Sequence, residues 1–352
     1  MTPSSPTSLN ITPNLPWLAP LAGYSNLPFR LICRQFGAKV ACTEMISAKG
    51  IYYSLQQSKR PNLEDVTNGN GKATWALLAS TPEDSPLVIQ LFGAEPEIMQ
   101  VAVESVLELF NAPNGRKVYF DLNMGCSVPK VAKTGCGAAM LRNTANALQV
   151  AKAMLAAAGP GNVGFKLRLG WQSGEDVYLN LAKELEQAGA GWITLHPRYA
   201  KQGYSGKAHW PAIAKLKQNL TIPVIASGDL LQAFDAVSCI KETGADSVMF
   251  ARGALTNPLI FDEYTSLLAN KEIKPKTPQQ LVALIQNHIA LARKFCDNRH
   301  ALSQMRGFIP RYVHNFKGVR LLRQDLTACQ NWLELDEILN NFLKNAALEP
   351  LD

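Results

Sequence analysis

A thiol set just past an alternating strand is the group in this chain best placed to give or take a proton. In the run Tyr119-Phe120-Asp121-Leu122-Asn123-Met124-Gly125-Cys126, the two-residue period of extended chain puts Tyr119, Asp121 and Asn123 on one face and Phe120 and Leu122 on the other. The polar face must meet water or chemistry, and Cys126 follows it in a glycine-containing turn that keeps sulfur accessible. Cysteine by default packs as a small hydrophobe; position is what removes Cys126 from that default. Cys136, between Gly135 and Gly137, is the second candidate for the same role.

Other strand ends carry polar groups too. Lys166 and Arg168 share one face of Val163 to Leu169, and enclosing two like charges is costly unless an anion meets them. Asp121 or a bound phosphate could be that anion, and a purely structural ion-pair network is the competing reading. Gln90 ends Leu87 to Gln90, where its amide offers both a donor and an acceptor to a heterocycle edge, and His196 ends Ile193 to His196. Ser227-Gly228-Asp229 and Ala251-Arg252-Gly253 are short turns whose exposed backbone N–H groups suit a phosphate. Glycine after a strand is common, so neither turn means much alone; together they point to a phosphorylated cofactor.

These residues need a scaffold that gathers strand ends. Short apolar runs near residues 17–22, 39–44, 86–91, 117–122, 163–168, 192–196, 222–226 and 246–250 read as buried strands. Helix-like stretches separate them, such as 145–158, 176–188, 210–219 and 231–243. Alternating strand and helix predicts a parallel (β/α)8 TIM barrel, whose reactive groups collect at the C-terminal ends of the strands. Asn68-Gly69-Asn70-Gly71 reads as an inserted loop at the barrel mouth. The alternation stops after Asn257-Pro258, and Leu281, Leu284, Ile285, Ile289 and Ala292, then Leu333, Ile338, Leu339, Phe342 and Leu343, recur at helical spacing. The expected layout is a flexible tail over 1–14, the barrel over 15–260, a linker over 261–275 and a smaller all-helical domain over 276–352.

Composition bounds the partners. With 47% hydrophobic and 18% charged residues among 352, the chain can bury a large core, which excludes fibrous and disordered classes. Seven cysteines, with no CxxC pair and no matching histidine spacing, predict reduced thiols and no metal site. The first residues lack a secretory start and nowhere do about 18 apolar residues run together, so a soluble, cytoplasmic protein is expected. Nothing requires more than a monomer. The net charge is +7, and between Leu291 and Arg323 eight basic residues face one acid, Asp297. A solvated helix surface is the ordinary reading of such a run, and an anionic partner is the other.

The motifs resemble those of the tRNA-dihydrouridine synthases, flavoenzymes that reduce uridines in transfer RNA. The matching blocks are Ala19-Pro20-Leu21-Ala22-Gly23, Asp121 to Cys126 with Lys130-Val131, Lys166-Leu167-Arg168-Leu169-Gly170-Trp171, Leu195-His196-Pro197-Arg198, Pro223 to Asp229, and Ala251-Arg252-Gly253-Ala254. Arg311-Tyr312 and Phe316-Lys317-Gly318 are similar to the family's helical segment.

The resemblance implies FMN over the barrel mouth, with Pro20, Leu21 and Ala22 along its ring and Gln90 and Lys166 at its polar edge. Asn123 and His196 would line the flavin or the uracil, and Ser227, Gly228, Asp229, Ala251 and Arg252 would hold the phosphate. It implies NADPH as electron donor and Cys126 as the acid that protonates C5 of uracil after hydride reaches C6. A uridine in folded RNA must be extruded to reach such a site, which gives Arg306, Arg311, Lys317 and Arg320 the task of gripping the RNA backbone. Ser127 stands where proline is usual in the family, Pro197 where glycine is, Ser227 where asparagine is and Ala251 where glycine is. The alternatives are an FMN-dependent reductase of a free small molecule such as a pyrimidine, and a non-catalytic RNA-binding barrel.

Overall fold

The computed structural model describes residues 8–57, 60–68, 73–111, 116–274 and 276–345. Its centre is a closed parallel barrel of β1 (Pro16–Leu18), β2 (Val40–Cys42), β3 (Leu87–Phe92), β4 (Val118–Met124), β5 (Val163–Leu167), β6 (Trp192–Leu195), β7 (Val224–Ser227) and β8 (Ser247–Phe250). Each strand pairs with its sequence neighbour, and β8 closes on β1 through Trp17↔Met249 and Leu18↔Phe250. All eight expected strands are present, and a two-residue strand, Ile46–Ser47, adds to the end of β3.

Alternation along the strands makes two apolar layers. Trp17, Val40, Val88, Tyr119, Trp192, Ile225 and Met249 form one cluster inside the barrel, with the Trp17 and Trp192 rings 5.5 Å apart. Gly164 makes room for this filling, since a Cβ there would lie 2.0 Å from Trp192 Cε2. The opposite faces, including Ile89, Phe120, Phe165, Ile193 and Phe250, pack against the surrounding helices. Thr144–Ala158, Tyr178–Gln187, Pro211–Asn219 and Ala233–Thr243 realise the four helix-like stretches. Local chemistry sets their starts: Asn143 accepts from the Asn146 N–H, Pro211 stands in a first turn, and Gln232 and Asp235 form a reciprocal cap.

Three expectations change. Residues 1–7 of the expected tail, like Gly69–Gly71 of the inserted loop and 346–352, lie outside the described residues, but residues 8–14 are not loose. Leu9 is buried with the inner cluster and the Asn14 N–H donates to the Asp246 carbonyl at 2.7 Å, because the apolar barrel interior needs a cover at that end. Much of the expected linker is helix, Ile260–Leu268, held by full burial of Ile260, Phe261 and Tyr264. Phe261 and Tyr264 set their edges on Phe250 at 5.4 and 5.7 Å. Leu333 is 70% exposed, and Leu335 takes the core position instead.

Four helices follow: Pro278–Phe295, Asn298–Tyr312, Val319–Ala328 and Trp332–Asn345. Leu281, Leu284, Ile285, Ile289 and Ala292 are all buried, as their spacing predicts. The bundle docks on helix Leu27–Gln35, where Phe29 meets Phe308 at 4.9 Å and the buried His288 ring lies 6.0 Å from Phe29. Among the described residues no helix is long and apolar enough to cross a membrane.

Candidate active site

A cleft of about 530 Å³, counted out to its open mouth, lies at the C-terminal ends of the strands. Pro20 and Leu21 from the β1 turn, Lys166 from β5, His196 from β6, the Ser227-Gly228-Asp229 turn and Ala251-Arg252 line it. Nine residues anticipated from sequence therefore share one cavity. Barrel geometry explains why, since strand ends distant in sequence converge at the rim.

Two turns bracket one side of the cleft. Gly228 adopts φ +104, and a Cβ there would lie 2.6 Å from His196 Cδ2, so the turn approaches His196 only because residue 228 has no side chain. Asp229 is a left-handed non-glycine, φ 57. Its carboxylate accepts from Arg198 Nη2 at 2.7 Å, from the Ala208 N–H at 2.7 Å and from Arg252 Nη2 at 3.1 Å. Burial pushes this carboxyl up, but the Ala208 N–H and Arg198 outweigh it and hold Asp229 below the usual range. The Asp229 side chain is thus a bracket between cations, and only its backbone can serve an anion.

His196 is neutral: burial, with Lys166, Arg168, Arg198 and Arg252 around it, pulls it down to about 2. Arg198 Nη1 lies 3.2 Å from His196 Nε2, and since a guanidinium only donates, Nε2 accepts and Nδ1 carries the proton. The Lys166 ammonium makes no hydrogen bond among the described residues and borders the cleft. Burial and the adjacent Arg168 draw its ammonium below the lysine range, with Asp121 opposing. Tyr204, 61% exposed, was not anticipated; its ring lies under Arg252 at 4.6 Å and completes the cleft wall. Nothing in the local sequence marks it, beyond glycines 203 and 206 on either side.

Gln90 and Asn123 lie outside the cleft lining, 1% and 7% exposed. Gln90 Nε2 donates to Asp121 Oδ2 at 2.6 Å, Asn123 Nδ2 donates to Gln90 Oε1 at 2.7 Å, and Asn123 Oδ1 accepts the Cys126 N–H at 2.9 Å and the Gly125 N–H at 3.2 Å. Asp121 Oδ1 has no hydrogen-bond partner, and burial raises the carboxyl against the pull of Gln90 and Lys166. Ala22 is exposed on the β1 turn, away from the lining.

Cys126 sits half-buried beyond β4, close enough to Lys166 and Arg168 to act on both electrostatically. Its carbonyl accepts the Ala138 N–H at 2.8 Å. Arg168 Nε donates to the Gly125 carbonyl at 2.8 Å and its Nη1 to the Tyr199 carbonyl at 3.0 Å, tying the Cys126 turn to the loop that bears Tyr204. Ser127, in place of proline, does not leave this turn unsupported: Pro129 opens a helical turn, Pro129–Ala132, two residues on. Cys136 is buried, its thiol directed to the Thr134 carbonyl, and burial pushes that thiol up.

The basic residues divide. Arg306 donates to the Cys329 carbonyl. Arg311 Nη2 donates to Tyr24 Oη at 2.7 Å and its guanidinium lies 4.9 Å from the Tyr24 ring centroid, so it fastens the bundle to the β1 turn. Lys317 and Arg320 are exposed.

A closed parallel barrel with its polar cleft at the C-terminal rim defines a TIM barrel. Among solved structures, morphinone reductase shares the fold over 76% of this chain and 89% of its own, with a TM-score of 0.50 and 14% identity. 2-Naphthoyl-CoA reductase does so over 75% of this chain and 52% of its own, with a TM-score of 0.50 and 10% identity. The family model for dihydrouridine synthase (Dus) matches residues 17–347. A probable tRNA-dihydrouridine synthase 1 of Synechocystis sp. is 34% identical over 332 residues, 94% of this chain and 86% of that protein. The tRNA-dihydrouridine synthase B of Pseudomonas aeruginosa is 29% identical, over 91% of this chain and 90% of its own. The chain belongs to the dihydrouridine synthase family and is an oxidoreductase.

Proposed function

We propose that this protein is an FMN-dependent tRNA-dihydrouridine synthase that uses NADPH to reduce the C5–C6 double bond of a uridine in transfer RNA. The observation that carries the reading is a cation within electrostatic reach of a thiol: the Lys166 ammonium borders the cleft, and Cys126, just outside the cleft lining, acts on it from a turn held by Asn123 and Ala138.

The residues fit a flavin mononucleotide. Lys166 can meet the electron-rich edge of the ring, Pro20 and Leu21 can lie along it, and Ser227, the Gly228 N–H and Arg252 can hold a phosphate at the bracketed turns. Bound there and reduced, FMN would supply the hydride for C6 of the uracil. The chain's own part is the proton. Negative charge builds at C5 as hydride arrives at C6, and the Cys126 S–H gives its proton to C5, leaving a thiolate beside Lys166 and Arg168. One C–H bond forms at each carbon, and the double bond becomes single. Neutral His196, its proton on Nδ1, can donate a hydrogen bond without adding another charge to this cationic rim.

Mapping dihydrouridine in transfer RNA from cells with and without this protein tests the assignment. One uridine position is expected to lose the modification when the protein is absent; an unchanged map contradicts it.

A further inference from the structure

Asp121, Gln90 and Asn123 form a chain that can be satisfied in only one sense. Gln90 turns its NH2 group to Asp121 Oδ2, 2.6 Å away, which accepts whether this raised carboxyl is ionised or carries a proton on the unpartnered Oδ1. That leaves Gln90 Oε1 to take the NH2 group of Asn123 at 2.7 Å, which in turn leaves Asn123 Oδ1 for the N–H groups of Gly125 and Cys126. Read from the other end, the two backbone N–H groups only donate and demand the same Asn123 orientation. Strand register makes the chain possible, since Gln90 on β3 stands directly beside Asp121 on β4, and Asn123 lies two residues along the same face. Asp121 and Gln90 are each 1% exposed, so water cannot replace a broken link.

We propose that Asp121 is a positioning residue for the proton-transfer step: its buried carboxyl group orients the Gln90 and Asn123 amides and, through Asn123, fixes the turn that aims the Cys126 thiol. Asp121 does not line the cleft and acts through its neighbours. This rests on Cys126 being the proton donor, and the test keeps the two claims apart.

The decisive comparison is Asp121→Leu against Asp121→Asn, with Cys126 labelling by a maleimide followed on its own peptide in protein stripped of cofactor. Asparagine keeps an acceptor for Gln90 Nε2, whereas leucine keeps the shape and removes the acceptor. Asp121→Leu is expected to change the labelling rate by about threefold or more and to slow dihydrouridine formation by about 10²-fold, the cost of a misaimed group. Asp121→Asn is expected to restore labelling to within about twofold, a rescue that follows from its retained acceptor.

Unchanged labelling in Asp121→Leu overturns the proposal, and so does an Asp121→Asn protein that behaves like Asp121→Leu. If Asp121→Leu does not fold, Gln90→Met cuts the same chain one link later; it must change Cys126 labelling likewise, and unchanged labelling there is equally fatal. Should Cys126→Ala form dihydrouridine at the normal rate, the donor assignment fails, while the labelling comparison still decides whether Asp121 holds the turn.

Discussion

Cys126 and Cys136 both stand beside glycines, so sequence alone lets either be the reactive thiol; packing separates them. Cys136 is buried with its thiol on the Thr134 carbonyl, whereas Cys126 is half-buried beside two cations. Cys136→Ala is therefore expected to keep dihydrouridine formation within about twofold, its cost falling on packing instead. A loss as large as that of Cys126→Ala contradicts this. At this scale the period-two rule made Lys166 legible, its place at a strand end made His196 legible, and the paired glycine turns did so for Ser227 and Arg252. Gln90 and Asp229 were legible as polar residues near the site but not in their roles. Which partner such an amide or carboxylate chooses depends on residues far off in sequence, such as Arg198 for Asp229. Tyr204 escaped because a loop aromatic carries no periodic signal.

Elements were legible wherever burial was regular. The eight strands and the four helix-like stretches appear because each buries one continuous face. The segment 261–275 misled because its lysines and prolines mark only its second half, while Ile260, Phe261 and Tyr264 bury the first half as helix. The helical bundle meets the barrel through His288, whose Nδ1 pairs with Tyr312 Oη at 2.8 Å between Phe29 and Phe308. Burial pulls His288 down to about 3. Below the ordinary histidine range near 6.5 the unfolded chain takes up a proton that the folded chain refuses, so this contribution to stability is present above that pH and drains away as pH falls toward about 3. His288→Gln is expected to be less stable at pH 7 yet to lose less on going to pH 5, the slope falling by up to about 1.4 kcal/mol per pH unit. His196, shifted the same way, keeps some slope in the variant. Equal denaturant-derived slopes for variant and wild type contradict the assignment.

For the whole molecule, the net charge of +7 pointed to an anionic partner but not to which cations would face it. The basic run looks uniform in sequence, yet Arg306 and Arg311 spend their guanidinium groups inside the protein. In the proposed function the RNA grip is assigned to exposed residues such as Lys317 and Arg320. Lys317→Ala with Arg320→Ala should weaken transfer RNA binding at all sequences and flatten the plot of log affinity against log salt by about 1 to 2. An unchanged slope moves the grip elsewhere. The central claim, that this barrel reduces uridine with Cys126 as the acid, is tested most directly by a single turnover. The purified protein is loaded with FMN, reduced once with NADPH and given unmodified transfer RNA, and dihydrouridine is counted over time. Wild-type protein is expected to form it, and Cys126→Ala to form it about 10²- to 10⁴-fold more slowly; formation by Cys126→Ala at the wild-type rate contradicts the account.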